Sequence, residues 1–462
     1  MGTVTDASGG AVPACKVEAI NTSTGIGQTV QTDDAGLYVF VSLAAGTYNL
    51  RIEREGFRRS EQRGVVLDAS SQRSIDFKLE VGAVNESVSV SATAQQVQVT
   101  SGEVSLVIND VQLRQIALNG RNYAQLLRLL PGVMATDTNP FGMALSETTQ
   151  RANGVRSMSI TFMVDGTFNN DNGTNLNQVV SPNVDAIAEV KVDTASYSEE
   201  FSGHSGAMVN VVGKSGTTQY HGSLFEFVRN DAFDARSFFA TRVEELRFND
   251  FGWTLGGPLY VPHKWNTGKS KLFFFASQEW KYSHQGTTNV NLVPTLAERQ
   301  GNFQNDTLPS PVDPATKVPY PNRIVPSSVW SHNGPLLLNV YPAPNFGGSG
   351  GNYVVTGMNV FDPRSDLLRF DYYFSPTIQM TYRLTEGSNL IVQPFSANNL
   401  GIGPGTRTRP GYLESVSLSD TISPSALNYF TFSVTRDSIH GTIVGDQQSR
   451  SQTGVDFPLE VK

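Results

Sequence analysis

Apolar and polar positions alternate along most of this 462-residue chain. Over residues 1 to about 80, short alternating segments are separated by turn residues; they read KVEAIN, LYVFVSL, TYNLRIER and RSIDFKLEV. The residues Asp33-Asp34-Ala35-Gly36 are typical of a hairpin turn. Six or seven strands in so short a span predict a small β-sandwich over residues 1–82.

The period changes between about residues 100 and 132. Four apolar side chains recur at i, i+3, i+4 and i+7, namely Tyr123, Leu126, Leu127 and Leu130. Because Pro131-Gly132 follows, RNYAQLLRLL is predicted to be an amphipathic helix that ends there. Strand-like segments then appear in MSITFMVDG, AIAEVKVDTASY and SGAMVNVVGKSGT. We therefore expect an α+β domain over residues 101–215, joined to the sandwich by a linker over residues 83–100.

After about residue 218 the pattern predicts strands only. In KLFFFASQEWKYS one face would carry Leu272, Phe274, Ala276, Trp280 and Tyr282, and the other Lys271, Ser277, Glu279 and Lys281. The segment TIQMTYRLTEGSNLIVQ alternates in the same way, with a turn expected at its Glu-Gly-Ser sequence. In total, residues 216–462 indicate about eight to ten strands.

Alternation alone fits a soluble sandwich as well as a membrane barrel. Two features favour the barrel: aromatic residues crowd the alternating segments, and the connection from 284 to 365 is far longer than its neighbours. Aromatic girdles and long outer loops are typical of outer-membrane barrels, whereas such loops are uncommon in compact domains. The fold class we expect is mainly β: a sandwich, an α+β domain, and the N-terminal part of a transmembrane antiparallel β-barrel.

Composition excludes several classes of function. Charged residues are 16% of the chain and the net charge is −8, so no basic footprint favours a nucleic-acid partner. The single cysteine, Cys15, excludes an internal disulfide framework and a cysteine-based zinc site. We read it as a small buried side chain. No apolar run approaches the ~18 residues that a membrane-spanning helix needs.

One stretch raises the question of hydrolase chemistry. Gly203-His204-Ser205-Gly206-Ala207 resembles the G-x-S-x-G turn that carries a catalytic serine. It has Ala207 where that turn needs its second glycine, and no strand-to-helix turn is predicted after Ser205. We therefore expect Ser205 to be structural and the protein not to be an enzyme, with a serine hydrolase as the remote alternative.

The other candidate motifs are also incomplete. TGKS at 267–270 has His263 where a phosphate-binding loop needs glycine. DNGTN at 171–175 lacks the spaced acids and the closing glutamate of an EF-hand loop, so we expect a polar loop. The six histidines form no HExxH motif or close pair; they are His204, His221, His263, His284, His332 and His440. We predict no catalytic residue, metal ligand or cofactor.

Longer segments carry a family resemblance that covers nearly the whole chain. The N-terminal segment, from GTVTDASGGAVPACKVEAINTSTG to TYNLRIEREGF, resembles the carboxypeptidase-regulatory-like domain, which has a transthyretin-like or carbohydrate-binding-like fold. LNGRNYAQLLRLLPGV, FMVDGTFNN and VDAIAEVKVDTASYSEEFSGHSGAMVNVVGKSGTTQYHGSLFEFVRND are similar to the plug and first barrel strand of Oar-like TonB-dependent transporters. FGWTLGGPLYVP, KLFFFASQEW, VPTLAERQGNF and LLLNVYPAPN continue the same pattern in order.

The resemblance implies a location and partners. It implies an outer-membrane receptor with a periplasmic N-terminal domain, surrounded by outer-membrane lipid and energised by a TonB-type inner-membrane complex. The implied function is passage of a large or scarce solute through a plugged barrel, the cargo being a peptide, an oligosaccharide or a protein. The alternative is a surface or periplasmic carbohydrate-binding module without transport.

Two departures from the family pattern suggest a fragment. The first residues, MGTVTDASGG, contain no export signal, and the last residue, Lys462, is not the aromatic end of a complete barrel. We also find no convincing TonB box before the plug. Our hypothesis is that this sequence is an internal portion of a longer receptor.

Overall fold

A computed structural model describes residues 1–41, 43–69, 72–82, 87–91, 102–135, 150–173, 175, 178–196, 205–236, 243–306, 309–347, 350–394, 405–423, 426–443 and 450–456. These residues form an N-terminal β-sandwich, a central plug (residues 102–213) and a curved antiparallel sheet (residues 221–443), which we call the wall sheet. No helix in this described part of the chain is long and apolar enough to cross a membrane.

The sandwich consists of two sheets around one core. Its strands are β1 (Gly2–Asp6), β2 (Lys16–Asn21), β3 (Gly27–Gln31), β4 (Leu37–Tyr38), β5 (Gly46–Glu53), β6 (Arg59–Leu67), β7 (Phe77–Leu79) and β8 (Ser87–Ser91). One sheet has the order β4-β1-β7 and the other β3-β2-β5-β6-β8. Cys15 is fully buried among Val17, Tyr38 and Ile52 in this core. Within the expected linker, β8 pairs in parallel with β6 and so extends the sandwich.

The plug is built on a five-stranded mixed sheet. The plug as a whole contains seven described strands: β9 (Val104–Asn109), β10 (Val133–Ala135), β11 (Gln150–Ala152), β12 (Thr161–Val164), β13 (Thr167–Phe168), β14 (Ile187–Ala195) and β15 (Met208–Gly213). The main sheet has the order β13-β12-β15-β14-β9, and β10 pairs with β11. One α-helix, α1 (Asp110–Gln115), follows β9, and 3₁₀ turns lie at Asn119–Arg121, Tyr123–Leu129, Ser157–Ser159 and Val184–Ala186.

The predicted amphipathic helix is a 3₁₀ helix rather than an α-helix. It spans only Tyr123–Leu129, between the Asn122 cap and Pro131, and Leu130 N–H bonds to Leu127 O, three residues back. Leu130 precedes Pro131, and a residue before proline avoids the α-helical conformation. The short segment therefore forms the tighter 3₁₀ helix. The predicted apolar positions are nevertheless buried in the plug core: Tyr123, Leu126, Leu127 and Leu130.

The wall sheet contains nine strands among the described residues. They are β16 (His221–Asn230), β17 (Leu246–Pro258), β18 (Leu272–Asn291), β19 (Tyr353–Tyr373), β20 (Ile378–Gln393), β21 (Gly405–Thr408), β22 (Gly411–Ser423), β23 (Ala426–Asp437) and β24 (His440–Ile443). The long strands pair antiparallel in the order β16-β17-β18-β19-β20-β22-β23, while β21 and β24 extend one end of β20. Short connections lie at one end of the sheet, and the β18–β19 loop lies at the other.

Two sequence expectations about the wall sheet are wrong in detail. Strand β20 continues through Glu386-Gly387-Ser388 without a turn, because each of these residues pairs with β19. The long loop covers residues 292–352 rather than 284–365, since β18 and β19 pair as far as Asn291 and Tyr353. The loop contains α2 (Leu296–Arg299) and α3 (Asn333–Val340), and a later helix, α4 (Arg450–Thr453), contacts α3.

Candidate functional site at the plug–wall interface

The two faces of the wall sheet differ in chemistry. On β18 the predicted alternation places Phe274, Ala276 and Trp280 on one face and Ser277, Glu279 and Lys281 on the other. The second group is buried against the plug. Because successive strand residues point to opposite sides, the wall sheet presents polar and charged side chains to the plug.

Arg121 is the plug side chain that contacts the wall sheet at its first strands. Gly120 and Arg121 both have positive φ, which turns the Asn119–Arg121 segment sharply and projects the guanidinium outward. That group lies over the rings of Phe225 and Phe227 of β16, at 4.7 and 4.1 Å from their centroids. It also pairs with Asp185 of the plug. The planar guanidinium can stack and pair at the same time, which a lysine ammonium cannot.

Three buried charges of the wall sheet adjoin Arg121. Asp250 of β17 is fully buried, and its carboxylate lies 3.7 Å from Lys281 Nζ and 3.9 Å from Arg121 Nε. Lys281 also lies 3.3 Å from Glu279 and donates to the backbone oxygen of Arg121 at 3.4 Å. The cluster of Arg121, Asp185, Asp250, Glu279 and Lys281 therefore contains two basic and three acidic side chains.

A second cluster surrounds the tip of the β12–β13 hairpin. Asp165 and Gly166 both have positive φ, as a two-residue Asp-Gly hairpin turn requires. The Asp165 carboxylate accepts the Gly213 N–H at 3.1 Å and lies 3.2 Å from Arg383 Nε of β20. Arg369 of β19 donates to Gly213 O at 2.9 Å. The hairpin tip and the end of β15 are thus held by two wall-sheet arginines.

The charges of this second cluster balance. Arg369 donates to both oxygens of Asp371, at 2.8 and 3.0 Å, and Thr381 donates to the same carboxylate at 2.9 Å. Two arginines, Arg369 and Arg383, therefore face two carboxylates, Asp165 and Asp371. Removing one member of such a buried set leaves an uncompensated charge.

A third contact lies near the end of the wall sheet that carries β21 and β24. Arg409 donates to Asp437 at 3.0 and 3.1 Å and lies 3.8 Å from Asp171 of the plug. Thr435 of β23 donates its hydroxyl to Phe168 O at 3.1 Å. Together the three clusters connect the plug to strands β17 to β20 and to β23.

Apolar side chains also join the plug to the wall sheet. Leu413 of β22 joins the plug core, and Ala186 of the plug packs against Phe275 and Leu367. A cavity of about 30 Å³ at the junction is lined by Gln178, Ser181, Glu279, Lys281 and Asn389 among others. Charged clusters and apolar contacts therefore both join the plug to the wall sheet.

Ser205 is exposed, and a backbone contact accounts for the glycine that follows it. Gly206 N–H bonds to Ser159 O at 2.9 Å, and a Cβ on Gly206 would lie 2.5 Å from that oxygen. Gly203 and His204 lie outside the described residues. The structure gives no hydrogen bond from a described histidine or carboxylate to Ser205. Gly206 is therefore needed because the backbone of Ser159 approaches it closely.

The other sequence candidates lie apart from one another. The TGKS residues form the β17–β18 turn, where the Asn266 side chain accepts the N–H groups of Ser270 and Lys271 at 3.0 and 2.9 Å. In the DNGTN loop, Asp171 accepts the N–H groups of Gly173 and Asn175 at 3.0 and 3.1 Å.

The described histidines occupy separate places. His284 lies 3.2 Å from Asp362, and His221 contacts Thr217 at 3.2 Å. His263 lies in the β17–β18 turn, His332 immediately before α3, and His440 on β24. Within the described ranges, no group of three or more histidine, cysteine or acidic side chains is placed to hold a metal ion.

Sequence reasoning missed the plug–wall clusters. Arg121 and Asp165 lie in LNGRN and VDGT, two segments whose turn chemistry was readable. Their charged partners on β17 to β20 looked like the ordinary polar face of a strand. The sequence pattern that could have revealed these clusters is the repeated occurrence of Asp, Glu, Lys and Arg on the strand face opposite the aromatic residues.

Comparison with known proteins gives two family matches. Residues 212–459 match the model of an outer membrane beta barrel domain, and residues 1–80 match that of a carboxypeptidase regulatory-like domain. The TonB-dependent transporter Oar of Myxococcus xanthus is 27% identical over 312 residues, which cover 63% of this chain and 27% of that protein. The chain thus spans about a quarter of the length of this relative.

Solved structures of low sequence identity also match part of the chain. The outer membrane transporter YddB of Escherichia coli is 11% identical with a TM-score of 0.45, covering 72% of this chain and 39% of that one. The siderophore receptor PirA of Acinetobacter baumannii is 13% identical with a TM-score of 0.38, covering 72% and 44%.

Proposed function

Because this chain belongs to the outer membrane beta barrel domain family and is homologous to an Oar-like TonB-dependent transporter, we propose that it serves energised passage of a solute through a plugged barrel. The protein of which it forms all or part would act in the outer membrane. Its partners would be outer-membrane lipid, a TonB-type energy-transducing complex and a large or scarce cargo. The cargo would be a peptide, an oligosaccharide or a protein.

The observation that carries this proposal is the polar interface between the plug and the wall sheet. Three clusters of buried charges join the two parts. Separating apolar surfaces exposes them to water, whereas separated ionic groups regain hydration. A plug held in this way fits its lumen closely and can still be displaced by work from an energised partner.

No catalytic step enters the proposal. The relative from Myxococcus xanthus is named as a transporter, and Ser205 has no catalytic arrangement among the described residues. Specificity would reside in the loops at the long-loop end of the wall sheet and in the plug surface that faces them.

The proposed function can be tested by measuring displacement of the plug, which does not require the cargo to be known. Ala186 is fully buried against Phe275 and Leu367 of the wall sheet, so Ala186→Cys reacts with a maleimide only when the plug moves. Ala152→Cys is the matched control, because Ala152 is equally buried inside the plug core. Cells would be grown on mixed peptides and oligosaccharides.

We expect Ala186→Cys to be labelled in energised cells and protected after a protonophore is added. Ala152→Cys should stay protected in both conditions. Equal labelling of Ala186→Cys with and without the protonophore would contradict energised displacement. Labelling of both cysteines would show that the plug unfolds in place.

A further inference from the structure

The cavity between the plug and the wall sheet is lined by polar groups from both parts. Plug residues 178–181 form one side, and residues about midway along β18 and β19 and on β20 form the other. A water-sized group needs roughly 10–15 Å³, and this cavity measures about 30 Å³. It therefore admits the end of a side chain rather than a whole peptide. The polar side chains of its lining are Gln178, Ser181, Glu279, Lys281, Ser365 and Asn389.

Glu279 is the lining side chain with an unsatisfied group. It is only 5% exposed, and its Oε1 atom has no hydrogen-bond partner among the described residues. Its Oε2 atom lies 3.3 Å from Lys281 Nζ, but the same ammonium also lies 3.7 Å from the buried Asp250 carboxylate. One ammonium is thus shared by two buried acidic side chains. Because a buried carboxylate oxygen without a donor is unfavourable, Glu279 is ready to accept a further donor.

The neutral groups around Glu279 suit a ligand that donates several hydrogen bonds. The hydroxyls of Ser181 and Ser365 and the amide of Asn389 each carry an oxygen that can accept. A primary ammonium has three N–H donors, one positive charge and no acceptor. A carboxylate together with neutral oxygens therefore matches its donors and its charge.

A divalent metal ion fits this lining less well. Glu279 supplies the only carboxylate among the described residues that line the cavity. Calcium ions bind six to eight oxygens at sites that usually include several carboxylates. The single carboxylate thus favours a group with one positive charge.

The basic side chains of the lining are already engaged, which argues against an anionic ligand. Lys281 contacts Glu279 and Asp250 and donates to Arg121 O at 3.4 Å. The guanidinium of Arg364 pairs with Asp366 at 2.7 Å and lies over Trp280, on the face of the wall sheet away from the plug.

We propose that this cavity binds a primary ammonium group of the cargo through Glu279, so that the cargo is a lysine-containing peptide or protein rather than an oligosaccharide. This inference rests on the proposed function, because it specifies the cargo that function requires. A lysine side chain carries its ammonium on a flexible four-carbon stem. The ammonium can therefore enter a small cavity while the peptide backbone stays outside.

Binding can be measured by titration calorimetry on the full chain purified in detergent. The probe is the tripeptide N-acetyl-glycyl-lysyl-glycinamide. The control ligand is the same peptide with its lysine ammonium acetylated, which keeps the length and removes the charge. Potassium chloride at physiological ionic strength screens surface charges and offers a competing monovalent ion. We expect the lysine peptide to bind roughly tenfold or more tightly than the acetylated one, as a charge-assisted hydrogen bond would give.

Two variants locate the site. Glu279→Gln keeps the shape of the side chain and removes its charge, so the affinity for the lysine peptide should fall roughly tenfold or more. Glu386→Gln is the matched control, because Glu386 is exposed on β20 and alternates with the plug-facing Thr385. It should leave the affinity unchanged.

A third variant keeps the test valid if Glu279→Gln unfolds. Ser365→Val narrows the cavity without altering a charge, and it too should weaken binding of the lysine peptide. Thermal unfolding of every variant shows which of them retain the fold.

Either of two results would overturn the proposal. One is equal affinity for the lysine peptide and its acetylated form. The other is equal affinity of folded Glu279→Gln and Glu386→Gln for the lysine peptide, with no effect of Ser365→Val. The calorimetry requires no energised membrane, so a failure of Ala186→Cys to become labelled in cells would reject energised displacement and leave the ammonium site intact. Failure of the site and failure of transport are therefore distinguishable.

Discussion

Asp165 and Arg383 lie on different parts of the molecule, yet their charged groups are 3.2 Å apart and both side chains are largely buried. Asp165 forms the tip of a plug hairpin, and Arg383 is on the plug-facing side of strand β20. The pair shows how the plug is held: charged turn residues of the plug pair with oppositely charged side chains of the wall sheet.

Replacing Asp165 by asparagine should weaken this attachment strongly. Arg369 and Arg383 would then share only the Asp371 carboxylate, and breaking a buried ion pair from one side costs about 3–5 kcal/mol. The expected result is a lower free energy of unfolding and faster proteolysis of the plug, measured by denaturant titration and limited digestion.

The matched control is Asp110→Asn. Asp110 pairs with Arg114 on the exposed side of α1, where such a pair contributes about 0.5 kcal/mol or less. If Asp165→Asn changed stability no more than Asp110→Asn, the Asp165 cluster would not hold the plug.

Arg121→Lys should loosen the plug although it conserves charge. Lysine cannot stack on Phe225 and Phe227 while pairing with Asp185, so both interactions weaken. We expect faster maleimide labelling of Ala186→Cys in the Arg121→Lys background.

Arg151→Lys provides the comparison, because Arg151 is exposed on β11 of the plug. Equal labelling rates in the two backgrounds would mean that the guanidinium geometry of Arg121 has no role in retention.

Gly206→Ala should destabilise the plug. The new Cβ would lie 2.5 Å from Ser159 O, a backbone atom of the Ser157–Ser159 turn, and such overpacking costs roughly 1–3 kcal/mol. Thermal unfolding would measure the loss. Gly102→Ala is the control, because open space surrounds that Cβ position. Similar melting temperatures for the two variants would show that the close approach is unimportant.

The stability of the folded protein should fall as pH rises, through Glu189. Burial raises the pKa of Glu189 from its ordinary value of 4.5 to about 7, so its contribution to stability is fully present below 4.5 and is lost as pH rises through about 7. The full change is at most about 3 kcal/mol.

Denaturant unfolding at pH 5 and 8.5 checks this prediction. The Glu189→Gln variant should show a smaller loss between the two pH values than the unsubstituted protein. An equal loss in both would assign the pH dependence to other groups.

Several elements followed from local pattern. The alternation of Phe274, Ala276 and Trp280 with Ser277 and Glu279 predicted a two-faced strand, and β18 has those faces. A turn was also predicted at Asp33–Gly36 and is present, with Gly36 at positive φ, but it is not the expected hairpin turn, since it joins β3 and β4 of different sheets. These features depend on residues close in sequence, so periodicity and turn chemistry were sufficient.

Other features depended on distant partners. The Glu-Gly-Ser segment at 386–388 reads as a turn, but pairing with β19 keeps it extended, and Gly387 lies beside Val180 of the plug. The 3₁₀ form of Tyr123–Leu129 has a local cause instead, because Asn122 caps the segment and Pro131 ends it. Tertiary contacts override local preference wherever a segment is paired over its full length.

The amino-acid sequence by itself determined the mainly β fold, the three regions and the alternation of polar and apolar faces, because each rests on composition and short-range spacing. Only the tertiary structure decided which charges meet: Arg121 with Asp250, Asp165 with Arg383, and Ala69 with Glu189. A charged side chain on a strand looks the same in sequence whether it faces water or a buried partner. Its energetic role is fixed only when another part of the chain removes the water around it.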